Sequence, residues 1–261
     1  EMQQLTPIRP VPPMARDMDL VKNRLPSTRV LAGETMELEY DDGAVAVLGL
    51  SADRVAWQVR SEGEVLDGED AYDAVELRPG LFFLHFSSPA SGLGLSHVID
   101  REQGRAITVW NAVGSELQRF LRPARIAGHA VAYQPIEESR ELIGRRAYCQ
   151  YSEEAALEHI YVNSRAVVWQ WLLLPDDPRF DPLRTEVGIE AVSMRKVRDE
   201  VFLLVLNDGG PVGLTLLMDF VQKRNVGCLF GKGPAGLVDR PCGARIIPLN
   251  QLSYPSGFNP G

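Results

Sequence analysis

The sequence predicts an all-β fold made of two tandem antiparallel β-barrels related by an internal duplication. Short apolar segments separated by turn residues recur along the chain after residue 30, as in a meander of strands. The second half also repeats the first, because a shift of 119 places residues 82–110 on 201–229 without a gap. Helical signal is weak throughout. A meander of six to eight strands removes its unpaired edges by closing into a barrel.

The first half begins with a proline-rich segment, residues 1–30, which we interpret as an extended arm laid over the first barrel. The first barrel is expected at residues 31–125. Its strand segments, in order, read LEYDDGAVAVLGL, RVAWQVR, LFFLHFSS, GLGLSHVID and RAITVW.

A linker with a short helix, IEESRELI at 136–143, is expected at residues 126–143, before a second barrel at 144–261. Upstream of the main repeat, a shift of 112 places Trp57 on Trp169. The change of shift implies about seven extra residues in the second copy, and the proline-rich LLLPDDPRFDPLR accommodates them. The strand segments of this half read AYCQYS, LEHIYVN, AVVWQWLLL, VFLLVLND, VGLTLLMDF and NVGCLF.

The composition, 45% hydrophobic and 24% charged, is that of an ordinary globular protein. A net charge of −8 without a basic run argues against a nucleic-acid partner. No apolar run approaches the roughly 18 residues of a membrane span, and no signal peptide is recognised. Three widely spaced cysteines suit buried thiols in a reducing compartment. We therefore expect a cytoplasmic protein without a membrane partner.

Motifs for cofactors and metals are incomplete. The stretch GKGPAG at 231–236 fits G-x-G-x-x-G, but Pro234 and the short segment after it cannot open a crossover helix. GLSHV at 94–98 lacks the final glycine of a nucleophile elbow, and there is no Cys-x-x-Cys. We expect no organic cofactor and no metal.

The segment LEHIYVN carries polar residues inside an apolar hairpin. Strand alternation puts His159 and Tyr161 on one face and Glu158 on the other. A two-residue turn at 163–164 would place Glu158 opposite Trp169, whereas a three-residue turn would place His159 there. A His–Tyr pair facing a barrel lumen could perform acid–base work, since histidine titrates near neutrality. The alternative is a buried structural pair.

The repeat argues that the fold does not itself require these polar groups. His85 and His97 are also single polar residues in apolar strands, which raises the prospect of a site in the first barrel. In the repeat alignment, all four polar residues meet apolar residues or glycine. The partners are Leu204 for His85, Leu216 for His97, Val47 for His159 and Gly49 for Tyr161.

Two stretches, IGRRAYCQYS…ALEHIYVNSRAVVWQWL and VFLLVLND…GLTLLMDF…NVGCLFG, resemble the molybdenum-cofactor biosynthesis protein F (MoaF) family. The stretch YDAVELRPGLFFLHF resembles the N-terminal domain of that family. The resemblance implies a tandem pair of calycin, or lipocalin-like, barrels. The family name reflects genetic association more than chemistry, and implies an accessory role in molybdenum-cofactor biosynthesis.

A weaker resemblance is to the phenolic acid decarboxylases, which are single lipocalin-like barrels. The run from Gly144 to Cys149 and Tyr151 is similar to a glycine and paired-tyrosine pattern of that family, with Tyr151 on the second tyrosine. Asp208 would stand in for the catalytic glutamate, although it also suits a hairpin turn with Gly209 and Gly210. The chain departs from the decarboxylase pattern at Cys149, from the MoaF pattern at Gln170, and from the Trp-x-Glu of both families at Leu206-Asn207-Asp208.

These observations favour a small-molecule enzyme that binds an apolar or aromatic compound in a barrel lumen and acts as a lyase, isomerase or cyclase. The alternatives are a non-catalytic lipocalin-like carrier and the accessory factor. A homodimer is an open possibility. The candidate catalytic residues are His159, Tyr161, Tyr151, Asp208, His85 and His97. The candidate ligand-binding residues are Trp169, Trp171, Trp57, Glu158, Tyr72 and Arg78.

Overall fold

The structure, a computed structural model, describes residues 18–207, 210–255, 257 and 260. The strands of this part of the chain form two closed antiparallel barrels of eight strands each, in simple up-and-down order. The prediction of two tandem barrels is confirmed. No helix in these ranges is long and apolar enough to cross a membrane.

The first barrel closes because its first and last strands pair antiparallel, with Leu38 opposite Ile126. Each strand also pairs with its neighbours in sequence. The strands are β1 (Thr35–Tyr40), β2 (Val45–Leu50), β3 (Arg54–Ser61), β4 (Glu64–Arg78), β5 (Leu81–Ser88), β6 (Leu93–Asp100), β7 (Arg105–Val113) and β8 (Leu117–Ile126).

The second barrel closes in the same way, with Cys149 of its first strand opposite Ile246 of its last. The strands are β9 (Arg145–Gln150), β10 (Ala156–Tyr161), β11 (Ala166–Leu173), β12 (Val187–Arg198), β13 (Val201–Asn207), β14 (Val212–Asp219), β15 (Arg224–Gly233) and β16 (Gly236–Gln251).

Alternation of side chains explains which strands face solvent. In β2, Ala46, Leu48 and Leu50 are buried in the first core while their neighbours are half-buried, the period-2 pattern of a one-sided strand. In β6, all eight residues are buried, because its outer face is covered by the other barrel. The two kinds of strand therefore mark the free and the docked faces of each barrel.

The duplication is visible in the strand bounds. Shifted by 119 residues, β6 falls on β14, and shifted by 112 residues, β3 falls on β11. The gap-free alignment is wrong by one residue at β5, however. Leu84 lies opposite His97, and Leu204 lies opposite Leu216, so Leu84 corresponds to Leu204 and His85 to Val205. The β5–β6 turn holds one residue more than its counterpart.

A second one-residue correction applies to β10. Leu48 lies opposite Trp57 in the first barrel, and His159 lies opposite Trp169 in the second. His159 therefore corresponds to Leu48 rather than Val47, and by the same register Tyr161 corresponds to Leu50 rather than Gly49. The reason is a β10–β11 turn that is one residue longer. The first copy still carries apolar residues at both positions.

The extra residues of the second copy lie between β11 and β12, where the sequence predicts them. They form a 3₁₀ helix, Pro178–Thr185, capped by the Asp177 carboxylate, which accepts a hydrogen bond from the backbone N–H of Arg179 at 2.9 Å. Phe180 and Leu183 of this helix are buried in the second core. In the first copy, β3 and β4 are joined by a two-residue turn.

The predicted helix at 136–143 is wrong. The backbone there runs alongside β12, with Ser139 N–H donating to the Met194 carbonyl at 3.0 Å and Lys196 N–H donating to the Glu137 carbonyl at 3.1 Å. Glu138 and Arg195 form a β-bridge. Because these backbone groups bond to the strand, they are not used in a helical turn.

The N-terminal arm is described from residue 18 onward, and it crosses the second barrel before it reaches the first. Gly243 N–H donates to the Leu20 carbonyl and Asn23 N–H donates to the Tyr151 carbonyl, both at 2.9 Å. Met18 and Leu20 are buried in the second core. The interpretation of an arm over the first barrel is therefore wrong for residues 18–23, since Met18 and Leu20 hold them to the second barrel, whereas Thr28 N–H donates to the Ala74 carbonyl of the first.

The barrels dock through apolar faces of β5–β7 and β13–β15. Two reciprocal ion pairs flank this interface. Arg78 of the first barrel binds Asp219 of the second at 2.5 and 2.7 Å, and Arg198 of the second binds Asp100 of the first at 2.6 Å. Both aspartates are fully buried. The copies are therefore related by a local twofold, as the two halves of a symmetric interface are.

Candidate functional site

The interior of the second barrel carries the polar pair of LEHIYVN. His159 lies opposite Trp169 on β11 and opposite Ala147 on β9, so the longer of the two turns considered for this hairpin is the one present. Tyr161 is buried in the second core. His159 and Tyr161 therefore point into the lumen.

His159 and Tyr161 form a hydrogen-bonded pair. His159 Nδ1 lies 3.2 Å from the Tyr161 hydroxyl, which itself donates to Met218 Sδ at 3.2 Å. The rings meet edge to face, with centroids 6.0 Å apart. A phenol has one proton, so donation to Met218 leaves the Tyr161 oxygen to accept from Nδ1–H. Nε2 then carries a lone pair, and it is buried without a hydrogen-bond partner among the described residues.

Burial keeps both members of this pair neutral. Desolvation lowers the pKa of His159 to about 4, against a small opposing effect of Glu158. Desolvation also raises the pKa of Tyr161 well above its ordinary value of 10. The expectation that this histidine titrates near neutrality is therefore wrong, because its surroundings exclude water.

Tyr151 and Cys149 are buried in the same core on the first strand of this barrel and just beyond it. Burial raises the pKa of Tyr151 well above 10 and the pKa of Cys149 to about 12. The lumen around His159 is thus lined by uncharged groups near neutral pH. Such a lining suits an apolar ligand with few polar atoms.

Trp169 and Trp171 pack against this core but are only half-buried. The indole N–H of Trp169 donates to Glu190 Oε1 at 2.7 Å, and the ring covers Gly188 on the neighbouring strand. A Cβ at position 188 would lie 2.1 Å from the ring, so only glycine fits there.

The first barrel repeats this arrangement. Trp57 donates to Asp70 Oδ2 at 2.8 Å and covers Gly68, where a Cβ would lie 2.9 Å from the ring. The sequence analysis missed the glycines and acids of both copies. Their signal is a tryptophan in one strand followed by Gly-x-Asp or Gly-x-Glu in the next, present once in each half.

The first lumen holds His97. Its Nδ1 lies 2.8 Å from the Thr108 hydroxyl, which lies 2.9 Å from the Tyr40 hydroxyl. The imidazole stacks on Phe86 with centroids 5.7 Å apart. Burial, and then the charge of His85, lowers the pKa of His97 to about 3. Within the described ranges, its Nε2 also has no hydrogen-bond partner.

Several predicted site residues lie elsewhere. Glu158 points out of the second barrel and binds Arg146 at 2.6 Å and Gln170 at 2.6 Å, so it does not line the lumen. Arg78 binds Asp219 between the barrels instead of a ligand. The Tyr72 hydroxyl donates to the Ser51 carbonyl at 3.0 Å and so closes a loop of the first barrel.

His85 is not in a lumen. It lies on the outer face of β5, where it contacts Ser96, Cys228 and Asp239. Asp208 lies outside the described residues. No group of three or more His, Cys, Asp or Glu in the described part of the chain could hold a metal ion.

Two solved structures that are similar to this chain share little of its sequence. A Burkholderia vietnamiensis protein, described provisionally as a beta-lactamase, is 19% identical over 40% of this chain and all of its own, with a TM-score of 0.33. A protein of unknown function of the DUF3598 family from Nostoc punctiforme is 11% identical over 82% of this chain and 94% of its own, with a TM-score of 0.35. Among curated proteins, no sequence matches.

The family comparison covers both barrels. Residues 10–115 match the MoaF N-terminal domain and residues 136–252 match the MoaF C-terminal domain. The resemblance read from the strand motifs is thereby confirmed, and the chain belongs to the MoaF family.

Proposed function

We propose that this protein binds a small apolar or aromatic molecule in the lumen of the second barrel, with His159 Nε2 as its hydrogen-bond partner. The observation that carries the proposal is the buried Nε2 without a partner in the described part of the chain. A buried polar atom left unpaired costs about 1–3 kcal/mol, so its retention calls for an explanation. A ligand hydroxyl, which can donate to this lone pair, would satisfy it.

Comparison of equivalent residues favours the second lumen over the first. Trp57 is only 3% exposed in the first barrel, whereas Trp169 is half-buried. The strand registers also show which positions of the two barrels are equivalent. At three of these positions, the interior of the first barrel has a bulky residue and the interior of the second has a smaller one. These are Met36 with Ala147, Leu38 with Cys149, and Trp110 with Leu229.

The lining also limits the ligand's chemistry. His159 and Tyr161 are neutral across the physiological range, and Glu158 points away. A strongly charged ligand would lose its hydration without gaining an opposite charge from these groups. An aromatic compound with one polar substituent fits best, because Trp169 and Trp171 pack against this core and His159, opposite Trp169, supplies a single hydrogen-bonding nitrogen.

A matched pair of probes tests this proposal. 2-Naphthol and 2-methylnaphthalene have nearly the same shape, but only the first can hydrogen-bond to Nε2. Calorimetric titration should show tighter binding of 2-naphthol by about tenfold, which corresponds to one net hydrogen bond of about 1.4 kcal/mol.

His159→Leu is the matched variant, since the first copy carries Leu48 at the same place. It should remove the preference for 2-naphthol while leaving the affinity for 2-methylnaphthalene near its wild-type value. His97→Leu should change neither affinity, which assigns the site to the second barrel. A preference for 2-naphthol that survives His159→Leu would overturn the proposal.

Catalysis is a second candidate, supported by the contact between His159 and Tyr161. Nδ1 bonded to a hydroxyl and Nε2 directed at a ligand form a relay that can accept a proton on one side and release it on the other. Lyase, isomerase and cyclase reactions on an aromatic substrate all need such a step. Turnover of an uncharged phenol that His159→Leu abolishes would support the enzyme. Binding without turnover would support the non-catalytic carrier instead.

The accessory role in molybdenum-cofactor biosynthesis rests on the family name alone. The cytoplasmic location and the homodimer stay predictions. Each is open to a direct measurement, by cell fractionation and by the molar mass in solution.

A further inference from the structure

A second chemically distinctive cluster lies between the barrels, away from both lumens. Cys228 Sγ on β15 is 3.4 Å from His85 Nδ1 on β5, and the opposite ring nitrogen of His85 is 3.1 Å from Asp239 Oδ1 on β16. Ser96 contacts both, at 2.8 Å from His85 Nδ1 and 3.3 Å from Cys228 Sγ. The order is thus a thiol, an imidazole and a carboxylate, contributed by both halves of the chain.

We propose that Cys228 is an activated thiol that reacts with small electrophiles, peroxides above all. Thiols are activated by an adjacent imidazole whose other nitrogen is held by an acid. Asp239 Oδ1 binds the ring nitrogen of His85 that faces away from Cys228, and the Ser87 hydroxyl donates to the other carboxylate oxygen of Asp239. These contacts place the imidazole where it can accept the thiol proton as the sulfur attacks.

The charged groups around the cluster are consistent with proton transfer from Cys228 to His85. Burial lowers the pKa of His85, but Cys228 and Asp239 outweigh burial and raise it to about 10. Asp73 lies opposite His85 on β4 and is paired with Arg24. On the other barrel, Thr215, which lies opposite Cys228, is bonded to Arg119.

Two buried titratable side chains lie close by. His97 on β6 has a pKa lowered to about 3, so it adds no positive charge near neutrality. Cys242 on β16 has a raised pKa, through burial first, and therefore stays protonated. Neither competes with His85 for the Cys228 proton.

Access restricts the partner to small molecules. Cys228 is 1% exposed and His85 is 7% exposed, but the Asp239 side chain is 32% exposed. The cluster thus meets solvent on the side of His85 and Asp239, while Phe230, itself 1% exposed, packs its ring against that of His85. A peptide could not enter, whereas hydrogen peroxide or iodoacetamide needs only a small movement at the edge of the interface.

The reaction balances without a cofactor. The Cys228 sulfur attacks one oxygen of the peroxide, the O–O bond breaks, and a sulfenic acid forms as the sulfur loses two electrons. The other oxygen leaves as hydroxide and becomes water with the proton that His85 held. Peroxide is the oxidant and is reduced in the same step.

The other two cysteines are internal controls. Cys149 and Cys242 are also buried, and burial raises the pKa of each. In the intact protein, the rate of iodoacetamide labelling of each cysteine is measured by peptide mass spectrometry. We expect Cys228 to react at least about tenfold faster than the others at pH 7. With hydrogen peroxide and dimedone, the sulfenic acid should appear at Cys228.

Variants distinguish chemical activation of Cys228 from its accessibility to the reagent. His85→Gln and Asp239→Asn should slow labelling of Cys228, whereas Ser96→Ala should leave it within about threefold of wild type. Equal rates at the three cysteines, or a Cys228 rate unchanged in Asp239→Asn, would overturn the proposal. If His85→Gln does not fold, Asp239→Asn decides, because Asp239 lies near the surface.

Discussion

His159 lies directly opposite Trp169 across the β10–β11 hairpin, and both side chains point into the second barrel. The equivalent positions in the first barrel are Leu48 and Trp57. The duplication has therefore kept the tryptophan and varied its neighbour from an apolar to a polar residue. The two lumens therefore differ in polarity at the residue that faces this tryptophan.

Replacing His159 with leucine should stabilise the protein. The change removes a buried nitrogen without a partner in the described structure and copies the residue that the first barrel tolerates. We expect the free energy of unfolding to rise by about 1 kcal/mol, while the preference for 2-naphthol is lost. Tyr161→Phe should instead lower stability slightly, because it removes the partner of Nδ1. Urea unfolding at pH 7 measures both, and a destabilised His159→Leu would contradict the expectation.

The pH dependence of stability should report the same histidine. Its pKa is about 4 when folded and about 6.5 when unfolded, so the unfolded chain binds more protons between these values. This contribution to stability is complete above pH 6.5 and is lost as the pH falls toward 4. Carboxylates titrate in wild type and in His159→Leu alike, so the difference between the two proteins isolates the contribution of His159.

The slope of the free energy of unfolding against pH gives a quantitative test. Wild type should lose up to about 1.4 kcal/mol more per pH unit than His159→Leu within this window, the value for one proton. Parallel stability curves for the two proteins between pH 4 and 6.5 would show that His159 is not held neutral by burial.

The glycine beneath each tryptophan should be indispensable. Alanine at position 188 would place its Cβ 2.1 Å from the Trp169 ring, and alanine at position 68 would place it 2.9 Å from Trp57. We expect Gly188→Ala to cost about 1–3 kcal/mol and Gly68→Ala less. Gly49→Ala is the control, since its Cβ would make an ordinary contact at 3.6 Å. Thermal melts rank the three, and an equal cost for Gly188→Ala and Gly49→Ala would rule out the close approach.

The reciprocal ion pairs should hold the two barrels together. Arg78→Ala leaves Asp219 buried without its cation, whereas in Arg198→Ala the buried Asp100 keeps Arg105 at 3.7 Å. Arg78→Ala should cost about 3–5 kcal/mol, because removing the partner strands a buried charge, and Arg198→Ala should cost less. Arg54→Ala removes an exposed pair and should cost less than about 1 kcal/mol. Chemical denaturation gives all three values, and a small loss in Arg78→Ala would return this arginine to the set of ligand-binding candidates.

Turn residues made the duplication predictable from the sequence. Asp100 and Asp219 recur in register, and Asp219 Oδ1 accepts hydrogen bonds from the backbone N–H groups of Val221 and Gln222, as an aspartate at a turn does. The strands between such turns follow from their apolar alternation. The tandem barrels and the place of the second copy's insertion could therefore be predicted.

Turn length and docking limited the prediction of the site. One extra residue between β10 and β11 moves every side chain of the strand to the opposite face, so the repeat alignment alone misplaced the partners of His159 and Tyr161. The role of Arg78 depends on how two barrels dock, which local patterns do not encode. The lowered pKa of His159 depends on burial by residues distant in sequence.

The position of a heavy-atom ligand tests the central claim most directly. In a crystal of the protein with 6-bromo-2-naphthol, anomalous scattering locates the bromine, and the electron density locates the hydroxyl. We predict that the compound lies inside the second barrel, with its oxygen about 3 Å from His159 Nε2 and its rings beside Trp169. A compound bound beside His97, or bound in the second barrel with its hydroxyl directed away from His159, would contradict it.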